Sequence, residues 1–309
     1  MKLSIVATLY RSAVHLDEFQ RRATSAAKAL AGDDYELVLV NDGSPDASLE
    51  TAVALAAADP RVVVVDLSRN FGHHKAMMTG LAHARGDRVF LIDSDLEEDP
   101  AWLAAFATAM AAERCDVVYG VQSSRKGGAF ERWSGAAYYR LMQAISGVEM
   151  PRNMVTARLM TRRYVDALLR HEEREIEIGG LWALTGFVQR PVAVVKHSTS
   201  PSTYTLGHRV AVLVNAVTAF STAPLVAIFW IGIATFVLAL VAAGLVAVRW
   251  LFDARPVSGW TSLIVSVWLI GAMIISFIGV IGIYLAKILS EVKQRPYTIV
   301  REVHGRDAG

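Results

Sequence analysis

Apolar residues fall in short, nearly unbroken runs along the first 120 positions: LSIVATL (3–9), YELVLV (35–40), RVVVVDL (61–67), RVFLID (88–93) and DVVYGV (116–121). The segments between them, 15–31, 46–58, 73–85 and 100–113, have helical character. Buried strands alternating with helices predict an α/β domain with a mostly parallel sheet covered on both faces. Ligands of such sheets bind at the carboxyl ends of the strands, so chemistry is expected just after residues 9, 40, 67, 93 and 121.

The pattern changes in the last third of the chain. Leu225–Val248 holds no charged residue, and Trp260–Ala286 is likewise uncharged. As a helix the first stretch would reach about 36 Å, against a hydrocarbon core of roughly 30 Å. The two predict a transmembrane hairpin over 225–286, with spans 225–248 and 260–286 joined by a polar turn containing Pro256 and Gly259. Lys287, Lys293, Arg295, Arg301 and Arg306 follow the second span, whereas the turn carries only Arg249 and Arg255. That bias places the tail, 287–309, and the N-terminal domain, 1–203, in the cytoplasm of an integral membrane protein. Residues 204–224 mix apolar positions with His208, Arg209 and Asn215, as an amphipathic helix at the membrane surface does. Gly271, Gly279 and Gly282 would admit close helix packing, hence a homo-oligomer.

Composition agrees with this division. Of 31 Lys and Arg and 29 Asp and Glu, only Arg249, Asp253 and Arg255 lie within 225–286, and the mean hydropathy is +0.36. The single cysteine, Cys115, excludes an intramolecular disulfide framework and a Cys-rich zinc site. A net charge of +2 gives no global field for nucleic acid. The N-terminal run is interrupted at Arg11 and lacks a small-residue cleavage site, so it reads as a buried strand rather than a signal peptide.

The strand ends are polar. Thr8-Leu9-Tyr10 closes the first, Asn41-Asp42-Gly43-Ser44-Pro45-Asp46 follows the second, Ser68-Arg69-Asn70-Phe71-Gly72 the third, and Asp93-Ser94-Asp95-Leu96-Glu97-Glu98-Asp99-Pro100 the fourth. No Gly-x-Gly-x-x-Gly follows the first strand and no Gly-x4-Gly-Lys-Ser/Thr occurs, which argues against a dinucleotide-binding domain and a P-loop NTPase. Asp93 and Asp95, with Glu97 beyond them, suit an oxygen-ligated Mg2+ or Mn2+ that also binds a diphosphate. Asp99 before Pro100 suits a helix cap. His73, His74 or Lys75, at the helix start after Gly72, is placed to reach nucleotide phosphates.

In VNDGSPD (40–46), LSRNFGHHKAMMTGL (67–81), FLIDSDLEEDP (90–100), RLMTRR (158–163) and EVKQRPYTIVREV (291–303), the chain resembles family 2 nucleotide-sugar glycosyltransferases of the GT-A fold. Within them it is similar to the membrane-anchored polyprenyl-phosphate glycosyltransferases, the group of dolichol-phosphate mannose synthases and bactoprenol glucosyltransferases. The resemblance implies transfer of one sugar, with inversion, from a nucleotide diphosphate to a membrane polyprenyl phosphate, undecaprenyl phosphate in a bacterial inner membrane, for a cell-surface glycan. Carried over by position, it puts Thr8, Leu9, Tyr10 and Asp42 around the base and ribose of a nucleotide sugar; Asn70, Lys75 and Asp93 are expected to bind the same donor, and UDP is the expected nucleotide. Asp93, Asp95 and Glu97 match the metal-binding stretch. Arg132 matches a basic residue expected to hold the acceptor phosphate, and Arg125 is a further candidate for it. Asp95 and Arg158, the latter matching an Arg in the stretch that closes over the sugar, are expected to form the catalytic set together with Thr156.

The chain departs from the family at several of these positions. Thr156 stands where an Asp is usual, Glu97 where Gln is usual, Gln122 where Arg is frequent and Thr203 where Lys or Arg is frequent; ATLYRS (7–12) replaces the usual Pro and Asn-Glu. Losing the Asp is compatible with a phosphate acceptor, whose second pKa near 6 leaves it mostly dianionic at pH 7 and able to attack without a general base. Two other readings stand beside this one. A sugar-nucleotide-binding scaffold without turnover is motivated by the same departures and opposed by Asp93 and Asp95. A processive polysaccharide synthase would bring a Gln-x-x-Arg-Trp segment, which is not present.

Overall fold

Strand β1 (Leu3–Leu9) is buried along its whole length and lies at the centre of an eight-stranded sheet ordered β7-β5-β6-β4-β1-β2-β3-β8. The structure is a computed structural model that describes residues 2–122, 153–173, 178–196, 223–252 and 259–305. The chain divides into two units, Met1–Leu206 with Arg295–Gly309, and Gly207–Gln294.

In the first unit, β1, β2 (Tyr35–Asn41), β3 (Val62–Leu67) and β4 (Arg88–Leu91) pair in parallel. They alternate with α1 (Leu16–Ala31), α2 (Ser48–Ala58), α3 (His73–His83) and α4 (Trp102–Glu113), and β5 (Val117–Gln122) follows. Alternate residues of each strand enter opposite cores. Leu3, Ile5, Ala7 and Leu9 pack with Leu16, Phe19, Ala23 and Ala27 of α1 on one face. Val6, Val38 and Val40 pack with Met77, Met78 and Leu81 of α3 on the other. The α/β architecture and mostly parallel sheet thus follow from the two-faced apolar strands.

Three strands and two helices lie beyond the alternating pattern. β6 (Met154–Thr161) inserts antiparallel between β4 and β5, and leads into α5 (Arg162–Leu169). After α6 (Ile178–Leu184), β7 (Gln189–Val194) joins β5 in parallel as an edge strand, where Pro191 is tolerated because one side needs no ladder hydrogen bond. At the opposite edge β8 (Val300–His304) pairs antiparallel with β3. Part of the tail expected only as a basic extension therefore completes the sheet.

The second unit contains α7 (Ala223–Phe252) and α8 (Trp260–Val292), which touch each other. Ser266–Val292 is long and apolar enough to cross a membrane, with a mean hydropathy of 2.4, and Pro224–Ala239 is a shorter apolar stretch. Among the described residues one segment therefore meets that criterion, where the sequence predicts two spans. The amphipathic helix expected over 204–224 lies outside the described residues up to position 222.

Candidate active site

Helical connections carry the chain from β1 to β2 on one side and bring β4 back to the other side of β1. The carboxyl ends of β1 and β4 therefore flank the point where the strand order reverses, the usual binding crevice of such sheets. Antiparallel β6 runs beside β4 with Leu91 opposite Arg158, and this register carries Thr156 to the level of Asp93.

Asp93 is the hub. Its Oδ2 accepts a hydrogen bond from the Thr156 hydroxyl at 2.8 Å. Its Oδ1 is buried and lies 3.2 Å from His73 Nε2, near enough for an ion pair but without a hydrogen bond. His73, the first residue of α3, is held from behind by Thr8, whose Oγ1 is 3.0 Å from Nδ1. Burial disfavours both charges, but their mutual attraction outweighs it: the Asp93 carboxyl is held below its ordinary range and the His73 imidazole above it.

Glu98 is fully buried beneath this group. Its two oxygens accept from the backbone N–H groups of Thr156, at 2.9 Å, and Ala157, at 2.8 Å. Burial and the Asp93 charge push its carboxyl up to about 7. Lys196, just beyond β7, brings Nζ to 3.1 Å from Glu97 and 3.9 Å from Glu98. Burial works against the ammonium, but the surrounding carboxylates raise its pKa. Ser94 is buried and donates to the Thr8 carbonyl at 2.8 Å, tying the β4 end to the β1 end.

The loops after β2 and β3 form one piece. Asp42 accepts from the backbone N–H groups of Phe71, at 2.7 Å, and Gly72, at 3.0 Å. Gly43 has φ +61° and sits so close to the neighbouring loop that a Cβ would collide with Asn70 N and the Arg69 backbone. Burial raises the Asp42 carboxyl despite these two donors.

The residues predicted from sequence are therefore distributed as follows. Thr8, Asp93 and Thr156 meet. Asp95 is exposed beside them and accepts from the Glu97 N–H at 2.9 Å. Tyr10 is 48% exposed, free to face a ligand. The Leu9 side chain lies in the core, so only its backbone faces the strand end. Asp42 and Asn70 lie in the joined loops, and Lys75 in the first turn of α3. Arg158 is fully buried in the core with Tyr164 and Trp182, its guanidinium over the Trp182 ring. Its Nε donates to the Thr156 carbonyl at 3.3 Å, and both terminal nitrogens lack hydrogen bonds. Burial lowers its pKa to about 9. It underlies the site rather than joining the carboxylates. Arg125 and Arg132 lie outside the described residues. Asp99 accepts from the Ala101 N–H at 2.9 Å in the turn before α4, but the helix begins at Trp102 with Ala101 at its N-cap and no side-chain cap, so the cap expected of Asp99 is not formed.

Among the described residues, no three His, Cys, Asp or Glu side chains converge as a metal-holding group. Glu97 is turned toward Lys196 and does not complete a set with Asp93 and Asp95. Those two still fit a divalent ion. Asp93 Oδ1 is a buried acceptor without a hydrogen bond, and two carboxylates leave room for phosphate and water oxygens, as Mg2+ and Mn2+ prefer. Glu98 is not among the residues the sequence points to; its signal there is the acidic run Glu97-Glu98-Asp99.

Comparison with known proteins places the chain in a family. The glycosyl transferase family 2 model matches residues 4–169, which run from β1 through α5. A protein of Mycobacterium tuberculosis (strain CDC 1551 / Oshkosh) described as "Putative glycosyltransferases" is 48% identical over 99% of this chain and 90% of its own length. The bactoprenol glucosyl transferase of Shigella phage SfII is 30% identical over 98% of this chain and 99% of its own. The undecaprenyl-phosphate 4-deoxy-4-formamido-L-arabinose transferase of Pseudomonas fluorescens (strain SBW25) is 31% identical over 97% of this chain and 89% of its own. With over half the chain under the family model and relatives matched along nearly its whole length, the protein is a glycosyltransferase and belongs to glycosyl transferase family 2.

Proposed function

We propose that the protein transfers a single sugar from a nucleotide-diphosphate sugar, UDP-linked by preference, to undecaprenyl phosphate, with inversion and with help from Mg2+ or Mn2+. The observation that carries this reading is the meeting of Thr8, His73, Asp93 and Thr156 at the switch point of the sheet. Support for the acceptor comes from relatives named as bactoprenol and undecaprenyl-phosphate sugar transferases.

An oxygen of the acceptor phosphate attacks the anomeric carbon, the bond from that carbon to the diphosphate breaks, and nucleoside diphosphate departs. A divalent ion held by Asp93 and Asp95 would offset charge on the departing diphosphate. The protein's own groups arrange the rest. The joined loops 41–46 and 68–72 cradle the nucleotide, and Tyr10 lies beside it. His73 presents an imidazole with a raised pKa where diphosphate charge gathers. Thr156 orients Asp93, and Glu98 anchors the Thr156 backbone. The dianionic acceptor needs no general base, so a threonine suffices at position 156.

The anchor in this reading is a hairpin of the spans 225–248 and 260–286, which fall within α7 and α8. An interface helix over 204–224 precedes it, and the catalytic domain and both termini lie in the cytoplasm. Exposed apolar side chains along α8, among them Trp268, Ile275 and Leu285, suit lipid contact. The test is single-turnover transfer in detergent from a panel of labelled UDP-, GDP- and dTDP-sugars to undecaprenyl phosphate. An acid-labile, singly glycosylated lipid from one donor supports the reading; long polymer or no product from any donor sinks it.

A further inference from the structure

The segment RPYTIVREV, which follows the long apolar helix, has no part in the chemistry above, yet it is built closely into the catalytic unit. β8 pairs with β3 with Asp66 opposite Glu302 and Leu67 opposite Val300, so Arg301 is the extra residue of a bulge. Bulges re-aim side chains and recur beside active sites. Here the Arg301 guanidinium, on the exposed side of the strand, bonds to two groups. Nη1 lies 3.2 Å from Asp66 Oδ2, and Nη2 donates to the Ser68 carbonyl at 2.7 Å. Asp66 is buried, and its other oxygen accepts from Asn41 Nδ2 at 2.8 Å. Asn41 Oδ1 in turn accepts from the Ser44 N–H at 3.2 Å. The strand is locked at both ends: the Ile299 carbonyl accepts from the Ser68 N–H at 2.9 Å, and Gly305, at φ +76°, lies so near the Val62 carbonyl that no Cβ fits.

Both arms of this chain of contacts end in the joined loops. One runs through Asp66 and Asn41 to loop 41–46, and the other goes directly to Ser68 at the start of loop 68–72. We infer that Arg301 is a positioning residue for the donor-nucleotide pocket, so that the strand after the membrane segment sets how well the catalytic unit holds its nucleotide. The inference rests on the nucleotide-sugar reading above. An Arg suits this post because its planar fork serves a carboxylate and a carbonyl together, which a lysine ammonium does less well.

The experiment uses the full chain in detergent with Mn2+, and UDP, GDP and dTDP as probes. Arg301→Ala and Arg301→Lys are compared with wild type by calorimetric titration and by donor kinetics, with thermal melting as the check on folding. The Ala variant is expected to bind the preferred diphosphate roughly tenfold more weakly, which corresponds to about 1.4 kcal/mol. Its donor KM rises in step while kcat stays within about twofold and the acceptor KM does not move. The Lys variant recovers part of the loss. Unchanged nucleotide affinity in Arg301→Ala, beside a wild type that binds, overturns the positioning role alone. So does a fall in kcat at unchanged donor KM. A wild type that binds none of the three diphosphates overturns the donor reading and this inference together.

Discussion

Thr156 and Asp93 are joined across the β4–β6 pair by a 2.8 Å hydrogen bond in which the threonine hydroxyl is the donor. The contact gives a physical sense to the departure at position 156. An aspartate there would set its own carboxylate against those of Asp93 and Glu98, three acidic groups in a partly buried space. The hydroxyl instead satisfies one Asp93 oxygen and leaves the other to face His73 Nε2 at 3.2 Å.

Thr156→Val is expected to leave Asp93 Oδ2 without its donor at nearly constant volume. A lost hydrogen bond to a charged group is worth about 1.5–3 kcal/mol, so transfer should slow by roughly 10- to 150-fold. Thr156→Asp should lower the thermal midpoint in metal-free buffer, and Mn2+ should restore it. Single-turnover rates and melting curves with and without Mn2+ check both; a Val variant with wild-type rates would remove Thr156 from the site.

Glu98→Gln replaces an acceptor of two backbone N–H groups by an amide that presents one of them with a competing donor. The cost of one unmet buried donor is about 1–3 kcal/mol, a fall of roughly 2–12 °C in melting temperature for a domain of this size. Differential scanning fluorimetry of the detergent-solubilised protein measures it. An unchanged midpoint would mean that the β6 backbone finds other acceptors.

Gly43→Ala introduces a methyl where loop 41–46 meets Asn70 and Arg69, at a backbone conformation that L-residues rarely adopt. The two loops must part, and the Asp42 contacts to Phe71 and Gly72 go with them. The expected outcome is a loss of nucleotide-diphosphate affinity of at least about tenfold, or more than about 1.4 kcal/mol, seen by titration calorimetry. Native affinity in this variant would detach the loops from the nucleotide pocket.

Much of this fold can be read along the chain, and the parts that cannot share a cause. β1 to β5 are runs of Val, Leu and Ile buried on both faces, so their identity is local. β6 carries Arg158 at its centre, and a charge in a candidate strand argues for the surface until Trp182 and Tyr164, contributed from farther along the chain, cover it. β7 holds Arg190 and Pro191, residues that only an edge position permits, and β8 is a five-residue strand separated from its partner by more than two hundred positions. The site divides in the same way. Asp93 and Asp95 stand at a strand end and announce themselves. Glu98 becomes a buried anchor only because β6 returns alongside β4, and Lys196 reaches the carboxylates only because β7 delivers it there.

The carboxylates at the end of β4 are the centre of the proposed chemistry, and Asp95 can be altered with little effect on packing because it is exposed. The decisive measurement is sugar transfer to undecaprenyl phosphate by wild type and Asp95→Asn, each with Mn2+ and with EDTA, using the donor that the panel identifies. Metal-dependent transfer by wild type, reduced by at least about 100-fold in Asp95→Asn, an effect of about 2.7 kcal/mol, is the expected result. Undiminished product from Asp95→Asn, or wild-type transfer indifferent to EDTA, would contradict it.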